Sequence, residues 1–379
     1  MAVASQFNID EEWKNFISPK YDNDDDEDDD NFIDPEEFDF KSEDIINESS
    51  LSEAPVSTPI YISTKTKISY LNMAVDLKEV FWKIPVISYA EPKTGVIKKQ
   101  IKINSLTQEE LDDVQDKLKH EKYFEEHVIT SIKNPNGRIK FKDIRKISIG
   151  ISKKDIMSYR CRKKSAFYNC FVLILRIKVD LVYKEFHVKI FNTGKLEIPG
   201  IQTEDTFQKT LQVIIDTLQP HFAEKLEYQK DTTETVLINS NFNCGFYINR
   251  EILYDILKYK YNIQSIYDPC SYPGIQSKFY FNPDIGIQTG SQISEENKEK
   301  FNNISEVSFM IFRTGSVLIV GKCDESVLIV IYEFLKKLLT AEFHKIGQQK
   351  TKAEAAINKD KKKKVRRKQI IVNLLDAPN

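Results

Sequence analysis

Apolar residues recur along this chain in two distinct rhythms. VYKEFHVKIF (182–191) alternates with period two, the mark of a half-buried strand. CFVLILRIKV (170–179) is continuously apolar and rich in β-branched residues, which predicts a strand covered on both faces. In TEDTFQKTLQVIIDTLQPHF (203–222), Phe207, Leu211, Ile214 and Leu218 recur at spacings of four, three and four, so they share one helical face. Thr203 stands where a cap is needed, and Glu204 and Asp205 fall in the first turn, where the helix dipole favours negative charge. DESVLIVIYEFLKKLLTAEF (324–343) is apolar nearly all round, which predicts a helix covered on more than one side. Two short helices are expected at DLKEVFWKI (76–84) and INREILYDIL (248–257), and an acidic one within LTQEELDDVQDKLKHEKYFEEH (106–127).

These elements come twice. IFNTGKLEIPG (190–200) and IFRTGSVLIVG (311–321) match at an offset of 121: Phe191 with Phe312, Thr193 with Thr314, Gly194 with Gly315, Ile198 with Ile319, Gly200 with Gly321. The register persists through Leu218 and Leu339 to Phe222 and Phe343. Each copy reads as a strand ending in Ile-Phe, a Thr-Gly turn, a second strand and a long helix. Aligning Glu79 with Glu251 gives an offset of 172 for the opening helices, so the first copy carries about 51 extra residues. The expected plan is α+β: helix, antiparallel strands and long helix, repeated, with one sheet face under the helices. Four segments follow: an arm (1–54), a first repeat (55–222) with an insertion at about 85–165, a second repeat (223–346) with a loop insertion at about 283–305, and a tail (347–379).

Charge sharpens this division. The formal net charge is −2, yet residues 1–54 hold 19 acidic and 3 basic residues, a net of −16, so the remainder carries +14. The run DNDDDEDDD (22–30) repels itself and has little apolar area to bury, which predicts disorder. Residues 347–379 carry +7, and 133–164 hold 12 basic against 2 acidic residues. The folded part is thus basic, and an acidic arm interspersed with Phe32, Phe38 and Phe40 offsets it.

Composition also removes alternatives. Cys161, Cys170, Cys244, Cys270 and Cys323 form no CxxC pair, and the five histidines form no HExxH set, so no metal site, cofactor or disulfide framework is expected. There is no phosphate-binding GxxxxGK[ST] loop and no Ser/His/Asp order of a hydrolase. Nothing suggests a helix-hairpin-helix with a catalytic Lys or Asp, as a DNA glycosylase would need. The expectation is a protein without enzymatic activity. No apolar run reaches the ~18 residues of a membrane span, and the N-terminus lacks a secretory pattern, so an intracellular, membrane-free location is expected.

The repeat, the hairpins VKIFNTGK (188–195) and SFMIFRTG (308–315), and YDPCSYPG (267–274) together resemble the TATA-box-binding protein family. Its hairpin has the form apolar-apolar-Ile-Phe-x-Ser-Gly-Lys, and its second repeat contains Tyr-x-Pro-x-x-Phe-Pro-Gly. The resemblance covers about 60–84 with 165–222, and about 232–346. Divergent relatives of this kind occur in large DNA viruses, which would place the protein in a nucleus or a cytoplasmic viral factory.

The resemblance implies a saddle of antiparallel sheet with long helices on the convex face, binding double-stranded DNA by bending an AT-rich minor groove at promoters. Transcription factors and RNA polymerase machinery would be partners. Phe191, Phe312 and Tyr272 match the family's wedge aromatics, which enter base steps and kink the duplex. The fourth wedge falls near Phe167, with Tyr168 and Phe171 as alternatives. Arg176, Lys195 and Lys278 resemble phosphate contacts, and Arg313 is an added candidate. The family's central threonines are replaced by Pro199 and Val320, and its central asparagines align with Thr64 and Leu237. Fewer donors predict a relaxed sequence preference, since minor-groove readout is already degenerate. The alternative is a saddle-shaped scaffold of a transcription complex with little direct DNA binding. The acidic arm is expected to lie on the basic concave face, and KDKKKKVRRK (359–368) to bind phosphate or direct import.

Overall fold

The computed structural model describes residues 53–157, 169–292 and 303–348. The chain runs through β1 (Tyr61–Tyr70), α1 (Leu77–Lys83), β2 (Gly95–Ser105), α2 (Gln108–Lys119), β3 (Phe124–Lys133), β4 (Phe141–Gly150), α3 (Lys153–Met157), β5 (Cys170–Val179), β6 (Val182–Phe191), β7 (Lys195–Ile201) and α4 (Glu204–Leu218). It continues through β8 (Glu234–Asn243), β9 (Tyr247–Ile248), α5 (Arg250–Asp255, prolonged by a π turn, Ile256–Lys260), β10 (Gln264–Ile266), β11 (Ile275–Phe281), β12 (Ser305–Ile311), β13 (Ser316–Gly321), α6 (Glu325–Ile346) and β14 (Gly347–Gln348). The expected α+β plan is borne out. Among the described residues, one twelve-stranded antiparallel sheet runs β10-β11-β12-β13-β8-β1-β7-β6-β5-β2-β4-β3, with long helices on one face.

The ten strands from β10 to β2 are arranged symmetrically about the β8–β1 pair. The two halves even make equivalent hydrogen bonds. Leu71 N donates to Gly194 O and Cys244 N to Gly315 O; Val75 N donates to Asn192 O and Ile248 N to Arg313 O. The second partners are offset by 121 and the first by 173. Asp76 caps α1 through Glu79 N, and Asn249 caps α5 through Ile252 N. The helix caps therefore equate Glu79 with Ile252, one residue from the alignment on glutamates. A cap is fixed by the helix's first free N–H groups, whereas an exposed glutamate one position along costs little to move.

Each half has its own core. Strand residues such as Leu173, Val188 and Ile198 pack under Phe207, Leu211 and Ile214 of α4, and Phe309, Ile311 and Ile319 pack under Ile331, Leu335 and Leu339 of α6. The apolar spacing read along 203–222 is thus the buried face of α4, which ends at Leu218, where Pro220 enforces a 3-10 turn. The helix α6 buries nine residues, Glu342 among them, but leaves Ile329 and Val330 exposed. The hairpin glycines are required by geometry. Gly194 and Gly315 have φ of +83° and +81°, and a Cβ there would lie 2.4 Å from Met73 O and 2.3 Å from Phe246 O.

Strand order also relocates part of the expected insertion. β2 pairs with β5 as β10 pairs with β11, so 95–105 occupies the outer strand position of the first half. Extra material beyond the symmetric plan begins with α2, and its hairpin β3–β4 extends the sheet past β2. Only 108–119 of the expected acidic helix is helical, and 124–133 is strand. Thr107 caps it, and Tyr123, Phe124, Val128 and Ile129 carry strand propensity that ends it.

Candidate nucleic-acid interface

Strand alternation divides the side chains between the helix-covered face and an opposite, open face. On β8, Ile238, Ser240 and Phe242 point to the helices, so Leu237, Asn239 and Asn241 face the other way. On β1, Lys65 pairs with Glu325 and Lys67 with Glu204, the first residues of α6 and α4, so Thr64 and Thr66 lie on the open face. Register joins these residues into one strip. Thr64 lies opposite Asn239, and Thr66 opposite Leu237. Val320 adjoins Asn239 from the next strand, and the bulge between Ile198 and Ile201 sets Pro199 beside Thr66. Thr64 with Leu237, Thr66 with Asn239 and Pro199 with Val320 are then pairs about the pseudo-two-fold. The middle of the strip is accessible, with Leu237 37% exposed.

The alignment of Thr64 with Leu237 read from the sequence agrees with this symmetry. Asn239 is the residue that reading missed. It was legible in ETVLINSNFN (234–243), where inward Ile238 and Phe242 leave 237, 239 and 241 outward. Asn241 is committed within the sheet, donating to Ser63 Oγ at 2.8 Å.

The flanks are different in character. In the second half, Tyr272 and Phe312 come together, with ring centroids 5.9 Å apart, beside Gly274, where a Cβ would lie 3.0 Å from the Phe312 ring. Phe312 is only 5% exposed, and Tyr272 Oη approaches Met310 Sδ at 3.7 Å. Burial pushes the Tyr272 hydroxyl up to about 12. In the first half, Phe191 is half-buried, with Lys195 Nζ 5.4 Å from its ring centre.

Phe191 lies opposite Cys170, and Ile311 opposite Ile275. Tyr272 is two residues before Gly274, the neighbour of Phe312. The β5–β6 turn at Asp180–Leu181 pairs Val179 with Val182, and that register makes Cys170 the strand partner of Phe191. Both Phe167 and Tyr168 lie outside the described residues. Phe171 is fully buried on the helix-covered side and is no wedge.

The expected phosphate-contacting cations are engaged within the fold. Arg176 is 7% exposed and gives its Nη1 to Tyr89 O and Glu91 O, both at 2.8 Å, with the guanidinium 4.4 Å from the Tyr89 ring centre. It therefore does not stand at an open rim as the resemblance implied: the chain between α1 and β2 lies over it. Lys278 pairs with Glu306 at 2.6 Å, and Lys189, on the same face, with Glu197 at 3.0 Å. Arg313 lies 5.8 Å from the Tyr247 ring centre. Among the described residues, no group of three or more His, Cys, Asp or Glu could hold a metal ion. No described helix is long and apolar enough to cross a membrane.

No family model matches this chain. It is similar to a TATA-box-binding protein-like protein of Acanthamoeba polyphaga mimivirus, with 24% identity over 208 residues, 51% of this chain and 54% of that protein. The match thus spans about half the length of the curated relative. Among solved structures it is similar to TBP of Methanococcus jannaschii, with 13% identity, a TM-score of 0.34, and coverage of 74% of this chain and 97% of the other. The resemblance read from the hairpins agrees with this similarity to a TATA-box-binding protein-like protein.

Proposed function

We propose that this protein binds double-stranded DNA through the open face, reads the minor groove with a bias toward A·T pairs, and serves as a transcription-initiation factor at AT-rich promoter elements. The observation that carries this reading is the two-fold strip of Thr64, Thr66, Pro199, Leu237, Asn239 and Val320. A duplex has its own local two-fold, and a strip of short side chains lets groove edges approach the sheet. Thr hydroxyls and the Asn239 amide offer hydrogen bonds to adenine N3 and thymine O2, while Leu237, Val320 and Pro199 make only apolar contact. Such a surface distinguishes A·T from G·C by shape and by the guanine amino group more than by base order. The aromatic pair Tyr272 and Phe312 supplies a wedge beside a hairpin. A net +14 outside the arm supplies attraction for phosphates.

A bend-sensitive assay tests this, comparing AT-rich and GC-rich duplexes with the full chain, the chain lacking 1–54, and a Phe191→Leu/Phe312→Leu variant. Leucine rather than alanine preserves packing around the buried Phe312. Bending of AT-rich DNA that is lost in the variant supports the wedge mechanism. No bending by any of the three favours the scaffold reading, in which the saddle contacts proteins of a transcription complex. Two observations favour that second reading: the flank lysines Lys189 and Lys278 are paired with glutamates, and Phe312 is buried.

The acidic arm belongs to the same proposal. The described chain enters at the second half: Ala54 packs on its core, and Pro55 lies 3.0 Å from where a Gly245 Cβ would be. An arm of −16 starting there is within reach of the hairpin that carries Phe312 and Arg313. Removing 1–54 tightens DNA binding at low salt on this reading; an unchanged affinity sinks it.

A further inference from the structure

The first half carries material on its open face that the second half does not share in its equivalent sequence. Ile174 alternates with the core residues Leu173 and Leu175, so it points to the open face, yet it is 2% exposed. Two pieces of chain account for polar contacts around it. The segment 85–94, between α1 and β2, gives the carbonyls of Tyr89 and Glu91 to Arg176. The segment 151–156, after β4, brings Asp155 to Lys98 Nζ at 2.7 Å and Lys153 N to the Glu185 carboxylate at 3.0 Å. Lys98 lies opposite Ile174, and Arg176 opposite Glu185, so both anchors sit side by side on neighbouring strands. Although burial alone would raise it, the Asp155 carboxyl is held below its ordinary value by Lys98 and Ser152.

We propose that these two segments form a displaceable cover that competes with a DNA backbone for the cations beneath it. The grip of the cover is polar. Among its residues only Val86 packs against the first core, and only as a partly buried neighbour. What it presents to Arg176 and Lys98 is two carbonyl oxygens and one carboxylate, acceptors of the same kind as phosphate oxygens. Removing the cover uncovers Ile174 and frees Val96 O and Ile97 O, which accept from Ile87 N and Ile151 N, but a phosphate can replace each acceptor that Arg176 and Lys98 lose. The exchange converts Arg176 and Lys98 from internal anchors into backbone contacts, and the Asp155 charge leaves the face. This inference rests on the DNA-binding reading for its ligand, but not for the mobility of the cover.

The test uses the full chain, its Asp155→Asn and Tyr89→Ala variants, heparin, and a ~20-base-pair AT-rich duplex. Hydrogen exchange of 85–94 and 150–157 is followed together with duplex affinity and a thermal melt. Exchange in both segments is expected to rise on adding either polyanion. Asp155→Asn is expected to strengthen duplex binding about tenfold, which corresponds to ~1.4 kcal/mol, with the melt preserved. Tyr89→Ala, which removes the ring stacked on the Arg176 guanidinium, is expected to act in the same direction. Unchanged exchange with heparin overturns the cover as a competing element. Binding that is unchanged or weaker in both folded variants overturns it as well. If no duplex is bound at all, the DNA-binding reading fails, and the heparin measurement still decides whether the cover yields to a polyanion.

Discussion

Replacing Gly315 by alanine probes the hairpin on which both the repeat and the place of Phe312 depend. At φ of +81° an L-residue costs ~1–2 kcal/mol over glycine. The added Cβ would also sit 2.3 Å from Phe246 O and 2.9 Å from Cys244 Sγ, inside any real contact. Relief requires the turn to move away from 244–246, which stretches the Cys244 N to Gly315 O bond of 2.9 Å. A typical hydrogen bond adds ~1 kcal/mol, so the expected loss is about 2–4 kcal/mol. Gly194→Ala should cost the same, because its Cβ would lie 2.4 Å from Met73 O in the equivalent contact. Gly286, with nothing within 4 Å and no positive φ, is the control and should change stability by less than ~0.5 kcal/mol on alanine substitution. Urea unfolding followed by far-ultraviolet circular dichroism reads all three. Trp82 fluorescence adds a local report, since that residue packs against the core of the first half. Losses below ~1 kcal/mol at both hairpins would refute the steric argument, and a loss at one alone would refute the equivalence of the halves.

Three further outcomes are expected. Thr203→Ala removes the hydroxyl that accepts from Thr206 N and should cost ~1 kcal/mol by chemical unfolding. Asn239→Ala and Thr66→Ala should leave the melting temperature within the error of the parent and reduce the preference for AT-rich over GC-rich duplexes in competition binding; an unchanged preference in both removes the central strip from recognition. The Asp155 carboxyl is depressed in the fold, so its contribution is present above the ordinary carboxylate range and is lost as pH falls through its lowered value. Exchange of 150–157 should therefore stay slow through mildly acid pH and accelerate only below the normal aspartate range, whereas acceleration near neutrality would show that the Lys98 pair does not hold the segment.

The duplicated plan was legible because it rests on short-range rules. Thr-Gly turns, a period-two strand and an i, i+4 apolar face each leave a mark within a dozen residues. The offset of the hairpins came out right for the same reason: Gly194 and Gly315 are fixed by close backbone approach, so they do not drift. The engagement of Arg176 was not legible. Its partners are backbone carbonyls 85 and 87 residues away, and a carbonyl has no side-chain signature. Position 95–105 was taken with the insertion because its partner strand β5 lies some 70 residues on, and only the register shows that it fills the place of the much shorter β10. The burial of Phe312 was not legible either, because whether an aromatic at a strand end is covered depends on what else packs there.

The central strand pair has one more consequence. Thr64 meets Asn239 and Thr66 meets Leu237, so each residue pairs with the counterpart of its neighbour two along. That is the register two identical strands adopt when a pair of separate molecules joins edge to edge. The seam of this chain therefore has the geometry of a homodimer contact made covalent. A fragment comprising the second half alone would expose β8 as a ten-residue edge with its pairing partner missing. Such a fragment should associate with itself through that edge, and sedimentation at rising concentration would detect it. A strictly monomeric fragment would mean that the seam no longer works without the lysines that β1 extends to the ends of both long helices.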